Sequence, residues 1–161
     1  SRSLIRVMLR TYALLRHGLA SGQAPDSALL PEGVAYLRRL GAKLESEGWK
    51  PAAIVTSPYA RARDSAEILA GVLGYEAPAV VLRALVPEGE PDEALVAITA
   101  AAPLATPVLV VTHLPLVGRL AQGLVGEDLS FSPGTLVEIV REGDGMARLL
   151  RRVGPRDLDG A

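Results

Sequence analysis

The chain holds two histidines, His17 and His113. Each closes an apolar run: Tyr12-Ala13-Leu14-Leu15 ends at Arg16-His17-Gly18, and Val108-Leu109-Val110-Val111-Thr112 is followed at once by His113. Arg16 adjoins the first histidine, and Arg61 lies shortly after a third apolar run, Ala52-Ala53-Ile54-Val55-Thr56. A neutral imidazole nitrogen can attack phosphorus and hold it covalently. A guanidinium fork matches phosphate oxygens at two points. Two histidines and two arginines at one point would suit a dianion and would stabilise charge spread over transferring oxygens. Taken singly, each has a plainer reading. A strand-end histidine is often a surface or partly satisfied residue. Arg61 alone reads as an exposed helix residue beside Asp64 and Ser65. Arg16 closes an apolar strand with a charge and asks for a partner, which a carboxylate could supply. Their joint placement is what points to phosphoryl chemistry.

Other chemistries are poorly served. There is no third histidine and no carboxylate at metal-ligand spacing, so neither a metal nor a cofactor is expected. Absence of cysteine excludes disulfides, cysteine-based zinc sites and thiol nucleophiles. No Gly-rich nucleotide loop occurs. Ser132-Pro133-Gly134 lacks the leading glycine of a serine nucleophile elbow. Asp144-Gly145 lacks the other ligands of a calcium loop and reads as a turn. With 17 basic against 18 acidic residues the net charge is -1, so no global field draws nucleic acid and none is expected as partner. No apolar run reaches the roughly 18 residues of a membrane span. Arg6 and Arg10 interrupt any secretory leader, and a cytoplasmic location is expected.

The elements that must position these residues alternate. Strands are expected at 12–15, 52–56, 79–82 and 108–112, and helices at 31–47, after Ser57-Pro58, at 92–101 and at 115–124. Val34, Leu37, Leu40, Ala42 and Leu44 recur at helical spacing in the first helix, and Ala62, Ala66, Leu69 and Leu73 in the second. Ser57 reads as that second helix's cap, with Pro58 in its first turn and Gly74 as its stop. Two runs, 135–140 and 146–150, flank Glu142-Gly143-Asp144-Gly145 as a hairpin. This order predicts a three-layer α/β/α sandwich with a mostly parallel central sheet and a C-terminal antiparallel hairpin. Such sheets place sites at strand carboxyl ends, where both histidines fall. The 161 residues fit a single domain, 1–161, with 1–7 as an extension before Met8 and 155–161 as a loose tail.

Three blocks, Leu15-Arg16-His17-Gly18, Ser57-Pro58-Tyr59-Ala60-Arg61-Ala62 and Val110-Val111-Thr112-His113, resemble the histidine phosphatase (phosphoglycerate mutase-like) superfamily in content and order. Thr112-His113-Leu114-Pro115-Leu116-Val117-Gly118 and the short length are most similar to its bacterial SixA-type phosphohistidine phosphatases. The resemblance implies that His17 is the phosphorylated nucleophile and that Arg16, Arg61 and His113 bind the phosphoryl group. It implies that Gly18 keeps the backbone close and fixes the His17 tautomer through its carbonyl. Where that group carries an arginine before the first helix, this chain reads Asp26-Ser27-Ala28-Leu29-Leu30, a departure that bears on substrate preference. Larger relatives use an acidic residue between the second arginine and second histidine; Glu88 occupies that region, or is simply part of a polar loop. The implied substrate is a phosphorylated protein histidine, such as a phosphorelay carrier domain. The alternatives are a small phosphate ester, protonated by Glu88, and a non-catalytic phosphate-binding protein.

Overall fold

The computed structural model of the chain describes residues 9–158. The expectations for 1–7, for Met8 and for 159–161 lie outside the described residues. In chain order the strands are β1 (Leu9–Arg16), β2 (Ala53–Thr56), β3 (Val80–Val81), β4 (Val108–Thr112), β5 (Leu136–Glu142) and β6 (Ala147–Val153). The helices are α1 (Pro31–Ser46), α2 (Ala60–Leu73), α3 (Pro91–Ala101), α4 (Leu116–Val125) and the short α5 (Pro155–Leu158). One sheet has the order β3-β2-β4-β1-β5-β6. The first four of these run parallel, β5 runs antiparallel to β1, and β6 antiparallel to β5. The α/β class, the mostly parallel sheet and the terminal hairpin are as expected.

Side chains alternate across a strand, so β1 sends Tyr12 and Leu14 to one face and Ala13 and Leu15 to the other. Val108 and Val110 of β4 join the first pair in a core closed by Ala94, Ile98, Val117 and Leu120 of α3 and α4. Leu109 and Val111 join the second pair, under Leu37, Leu40, Ala66 and Leu69 of α1 and α2. Strands covered on both faces need apolar residues at every position, which is why β4 reads as an unbroken apolar run.

The connections create the site. The chain leaves β1 toward the α1–α2 face and leaves β4 toward the α3–α4 face. β1 and β4 are neighbours, with Arg16 in register with Thr112. A crevice therefore opens between their carboxyl ends, as at the switch point of any doubly wound sheet.

Several details depart from expectation. Helix α2 begins at Ala60 with Tyr59 as its extended N-cap residue, not at Ser57. The Ser57 hydroxyl is engaged instead by the His113 ring and the Tyr59 amide. Helix α1 buries Gly33, Tyr36, Leu37, Leu40, Gly41 and Leu44, while Ala42 is exposed and Val34 half-buried. Gly41 matters there because a Cβ would stand 2.9 Å from Val72 of α2. The third strand shrinks to two exposed edge residues, followed by a 3-10 turn at Arg83–Leu85. Helix α3 starts at Pro91, capped by the Glu90 carboxylate, which accepts from the Glu93 amide. The expected loose tail is, over 155–158, a helical turn: Asp157 Oδ2 accepts from the Gly154 amide, and Leu158 is buried beside α1.

Candidate active site

His17 and His113 come next after the paired ends of β1 and β4, and their ring centroids are 4.9 Å apart. Both rings are buried. The His17 backbone amide donates to the Thr112 carbonyl, continuing the ladder one residue beyond the strands. His17 Nδ1–H donates to the Gly18 carbonyl at 2.7 Å. With that proton placed, Nε2 carries the lone pair, and it accepts from Arg61 Nε at 3.2 Å.

Arg61 is therefore not the exposed helix residue that it would be alone. It is 4 % exposed, and its Nη1 donates to the Ala24 carbonyl. Arg16 Nη1 donates to the Phe131 carbonyl, and the Arg16 Nε has no hydrogen-bond partner among the described residues. Neither guanidinium has a carboxylate partner within the described residues, where the ion pairs involve Lys43, Arg151, Glu47 and Glu138. Two arginine charges thus face one crevice without a compensating anion. Burial, reinforced for Arg16 by the charge of Arg61, lowers the pKa of both.

The histidines feel the same field. Burial, helped by Arg61 and Arg16, pushes the His17 pKa down to about 4, against the opposing pull of the Gly18 carbonyl. Burial, with His17, Arg61 and Arg16, pushes His113 down to about 3. At neutral pH both rings are uncharged, so Nε2 of His17 carries a lone pair of the kind that can act as a nucleophile.

These groups line a cleft of about 480 Å³, whose rim includes Leu19, Gln23, Tyr59, Leu114 and Pro133. Glu88 lines it as well, exposed and without a hydrogen-bond or ion-pair partner among the described residues. All five candidate residues thus reach one cleft: four form its polar floor and Glu88 stands at its edge. A larger hollow of about 840 Å³ beside the β5–β6 turn holds Arg10 and Arg141, but both donate to backbone carbonyls. Among the described residues no group of three His, Cys, Asp or Glu is placed to hold a metal.

Sequence reasoning missed the residues that hold this floor together. The Ser65 hydroxyl donates to the Arg61 carbonyl one helical turn back and accepts from the Gly18 amide. Its spacing of four from Arg61 is a signal that was present. The Tyr59 ring meets His113 edge-on at 5.0 Å and lies 5.1 Å from the Arg61 guanidinium. The loop from Gly18 to Leu30 is closed by the Ala20–Leu29 bridge and presents Ala24 to Arg61 and Gln23 to the cleft. It contains no lysine or arginine.

Comparisons with known proteins bear on the family and the fold. Residues 12–86, which include Arg16, His17 and Arg61, match the family model of the histidine phosphatase superfamily (branch 1). His113 lies beyond that span. The fold matches the protein histidine phosphatase SixA complexed with tungstate at a TM-score of 0.86 and 25% identity, over 92% of this chain and 99% of that one. A SixA chain from Nakamurella multipartitia matches at 0.74 and 25% identity, over 92% and 97%. Phosphoglycerate mutase from Bacillus anthracis shares the fold at 0.72 with 15% identity, over 89% and 92%. A search of curated proteins gives no significant match.

Proposed function

We propose that this chain, which carries the histidine phosphatase fold and a segment matching that superfamily's model, is a metal-independent phosphatase of protein-borne phosphohistidine. The observation that carries the reading is a pair of guanidinium groups, Arg16 half-buried and Arg61 buried, neither paired with a carboxylate among the described residues, beside a neutral histidine whose Nε2 lone pair meets Arg61. That the SixA structure was obtained with tungstate, a tetrahedral oxyanion, supports an anion in this cleft.

In this mechanism the substrate's phosphoryl oxygens take over the arginine donors, and His17 Nε2 is released from Arg61. Nε2 then attacks phosphorus in line. The bond from phosphorus to the substrate nitrogen breaks as the bond to Nε2 forms, and the substrate ring, already protonated on its other nitrogen, leaves as neutral imidazole. Water next attacks phosphorus as the bond to Nε2 breaks, its protons leave with inorganic phosphate, and His17 returns to its neutral form with Nδ1–H in place. The Gly18 carbonyl holds the ring throughout and favours the cationic phosphohistidine through Nδ1–H.

The choice of substrate follows from the leaving group. An alkoxide needs a proton, since alcohols and water have pKa near 15. An imidazole is protonated near pH 6.5 and leaves readily. No acid is hydrogen-bonded into the floor, which favours phosphohistidine. The second reading, a small phosphate ester, rests on Glu88 at the cleft edge.

A 32P-phosphohistidine carrier domain and p-nitrophenyl phosphate, each incubated with chelator, separate the readings. Chelator-insensitive loss of label from the carrier, abolished by His17→Ala, is expected. Turnover of the ester alone would move the substrate to metabolites, and Glu88→Gln should then lower kcat by about 100-fold or more. Binding of phosphate without turnover of either would leave a phosphate-binding protein.

A further inference from the structure

His113 poses a question that the four-residue floor does not answer: which of its nitrogens carries the proton. The ring is 1 % exposed. Its Nε2 lies 2.7 Å from the Ser57 hydroxyl, and its Nδ1 is buried with no partner among the described residues. The Ser57 hydroxyl is itself fully buried and has two hydrogen-bond partners among the described residues, that Nε2 and the Tyr59 amide, which donates to it at 3.2 Å.

Two arrangements are open. If Nε2–H donated to Ser57, the hydroxyl oxygen would accept from two N–H groups. The hydroxyl hydrogen would then have no acceptor and Nδ1 no donor, leaving two buried polar groups unsatisfied. If the hydroxyl donates to Nε2, the oxygen still accepts from Tyr59 and a single group is left over, Nδ1–H. Each unsatisfied buried group is costly, so the second arrangement is favoured. Its leftover group is a donor in a ring that lines the cleft, and an anionic oxygen is the acceptor it lacks. Arg16 Nε, the other orphaned donor of the floor, asks for the same kind of atom.

We propose that Ser57 is a positioning residue: by donating its hydroxyl to His113 Nε2 it holds the proton on Nδ1, so that His113 presents an N–H to an oxygen of the bound phosphoryl group. The role rests on the phosphatase reading above, yet its first consequence is independent of turnover. His113 then acts as an oriented neutral donor, its proton staying on nitrogen while charge builds on the phosphoryl oxygens. Tyr59, edge-on to the same ring, completes the clamp.

Only two imidazoles exist in the chain, so long-range 1H–15N spectra of labelled protein at pH 7 resolve every ring nitrogen, with His17→Ala giving the assignment. The expected wild-type His113 signals are a protonated Nδ1 and a bare Nε2. Inorganic phosphate should shift the Nδ1–H proton. Ser57→Ala should convert His113 to mixed tautomers and lower kcat on the preferred substrate by roughly 10- to 100-fold, the range for partners that orient a functional histidine. Ser57→Thr, which keeps the hydroxyl, should retain the Nδ1–H form. A wild-type His113 protonated on Nε2, or an Nδ1–H form that persists in Ser57→Ala, would overturn the proposal. Absence of turnover in the wild type would overturn the phosphatase reading alone, because the tautomer is read without it.

Discussion

Arg61 shows how much a single side chain can be asked to do. Its Nε meets His17 Nε2 and its Nη1 meets the Ala24 carbonyl, two directions that only a planar fork can serve at once. Lysine offers a point charge on a flexible stem. Arg61→Lys is expected to lower kcat/KM by at least about 100-fold, as loss of one oriented donor to a developing charge does, with the far-ultraviolet circular dichroism unchanged. His17 makes a second prediction. Its nucleophilic form is the neutral one, present above a pKa held near 4 by burial and the two arginines. The acid limb of kcat/KM for a substrate that does not itself titrate there should thus fall near pH 4 rather than 6.5. A limb at 6.5 would mean that the ring is hydrated in solution.

At the scale of elements, the site depends on how α1 docks beneath the loop that follows His17. Gly33, in the first turn of α1, lies against the backbone of Leu19; a Cβ there would stand 2.4 Å from the Leu19 carbonyl oxygen. Backbone cannot swing aside as a side-chain tip can. Gly33→Ala should cost about 1–3 kcal/mol in urea unfolding, the usual penalty of overpacking, and should weaken catalysis by moving the Gly18–Leu30 loop. The other end of α1 is fastened differently. Glu138 of β5 accepts from the Trp49 indole and from Arg151 of β6, and Arg151 also pairs with Glu47. Glu138→Ala takes the acceptor from the half-buried Trp49 indole and from Arg151 Nε, while Arg151 keeps Glu47. A loss of about 1.5–3 kcal/mol is expected, with kcat unchanged because the network is remote from the cleft.

For the whole molecule, the cationic floor is also a liability. Between pH 6.5 and about 4 the unfolded chain binds a proton at His17 that the folded chain refuses, so stability must fall as acid is added through that window. By pH 4 the loss from His17 alone is about 3 kcal/mol, and His113, held lower still, acts in the same direction. His113→Gln should flatten the slope of stability against pH in this range. Bound phosphate should do the opposite of acid. At one hundred times its Kd it adds about 2.7 kcal/mol, a rise in Tm at pH 7.5 that sodium chloride of equal ionic strength would not match.

Much of this was legible in the chain. The unbroken apolar run of β4, the helical spacing of Ala62, Ala66, Leu69 and Leu73, and the hairpin turn fixed the layers, because burial on one or two faces imposes periodicities that residue types reveal directly. The strand-end placement of Arg16, His17 and His113 pointed to one edge of the sheet for the same reason. What the chain could not disclose was orientation. Whether Arg61 points to solvent or to His17, and whether Ser57 caps a helix or holds a ring, depends on contacts between residues 44 and 56 positions apart. Such contacts arise only once the crossover connections have set β1 beside β4. No local pattern encodes them, since the energy that selects them is shared among groups that meet for the first time in the folded state.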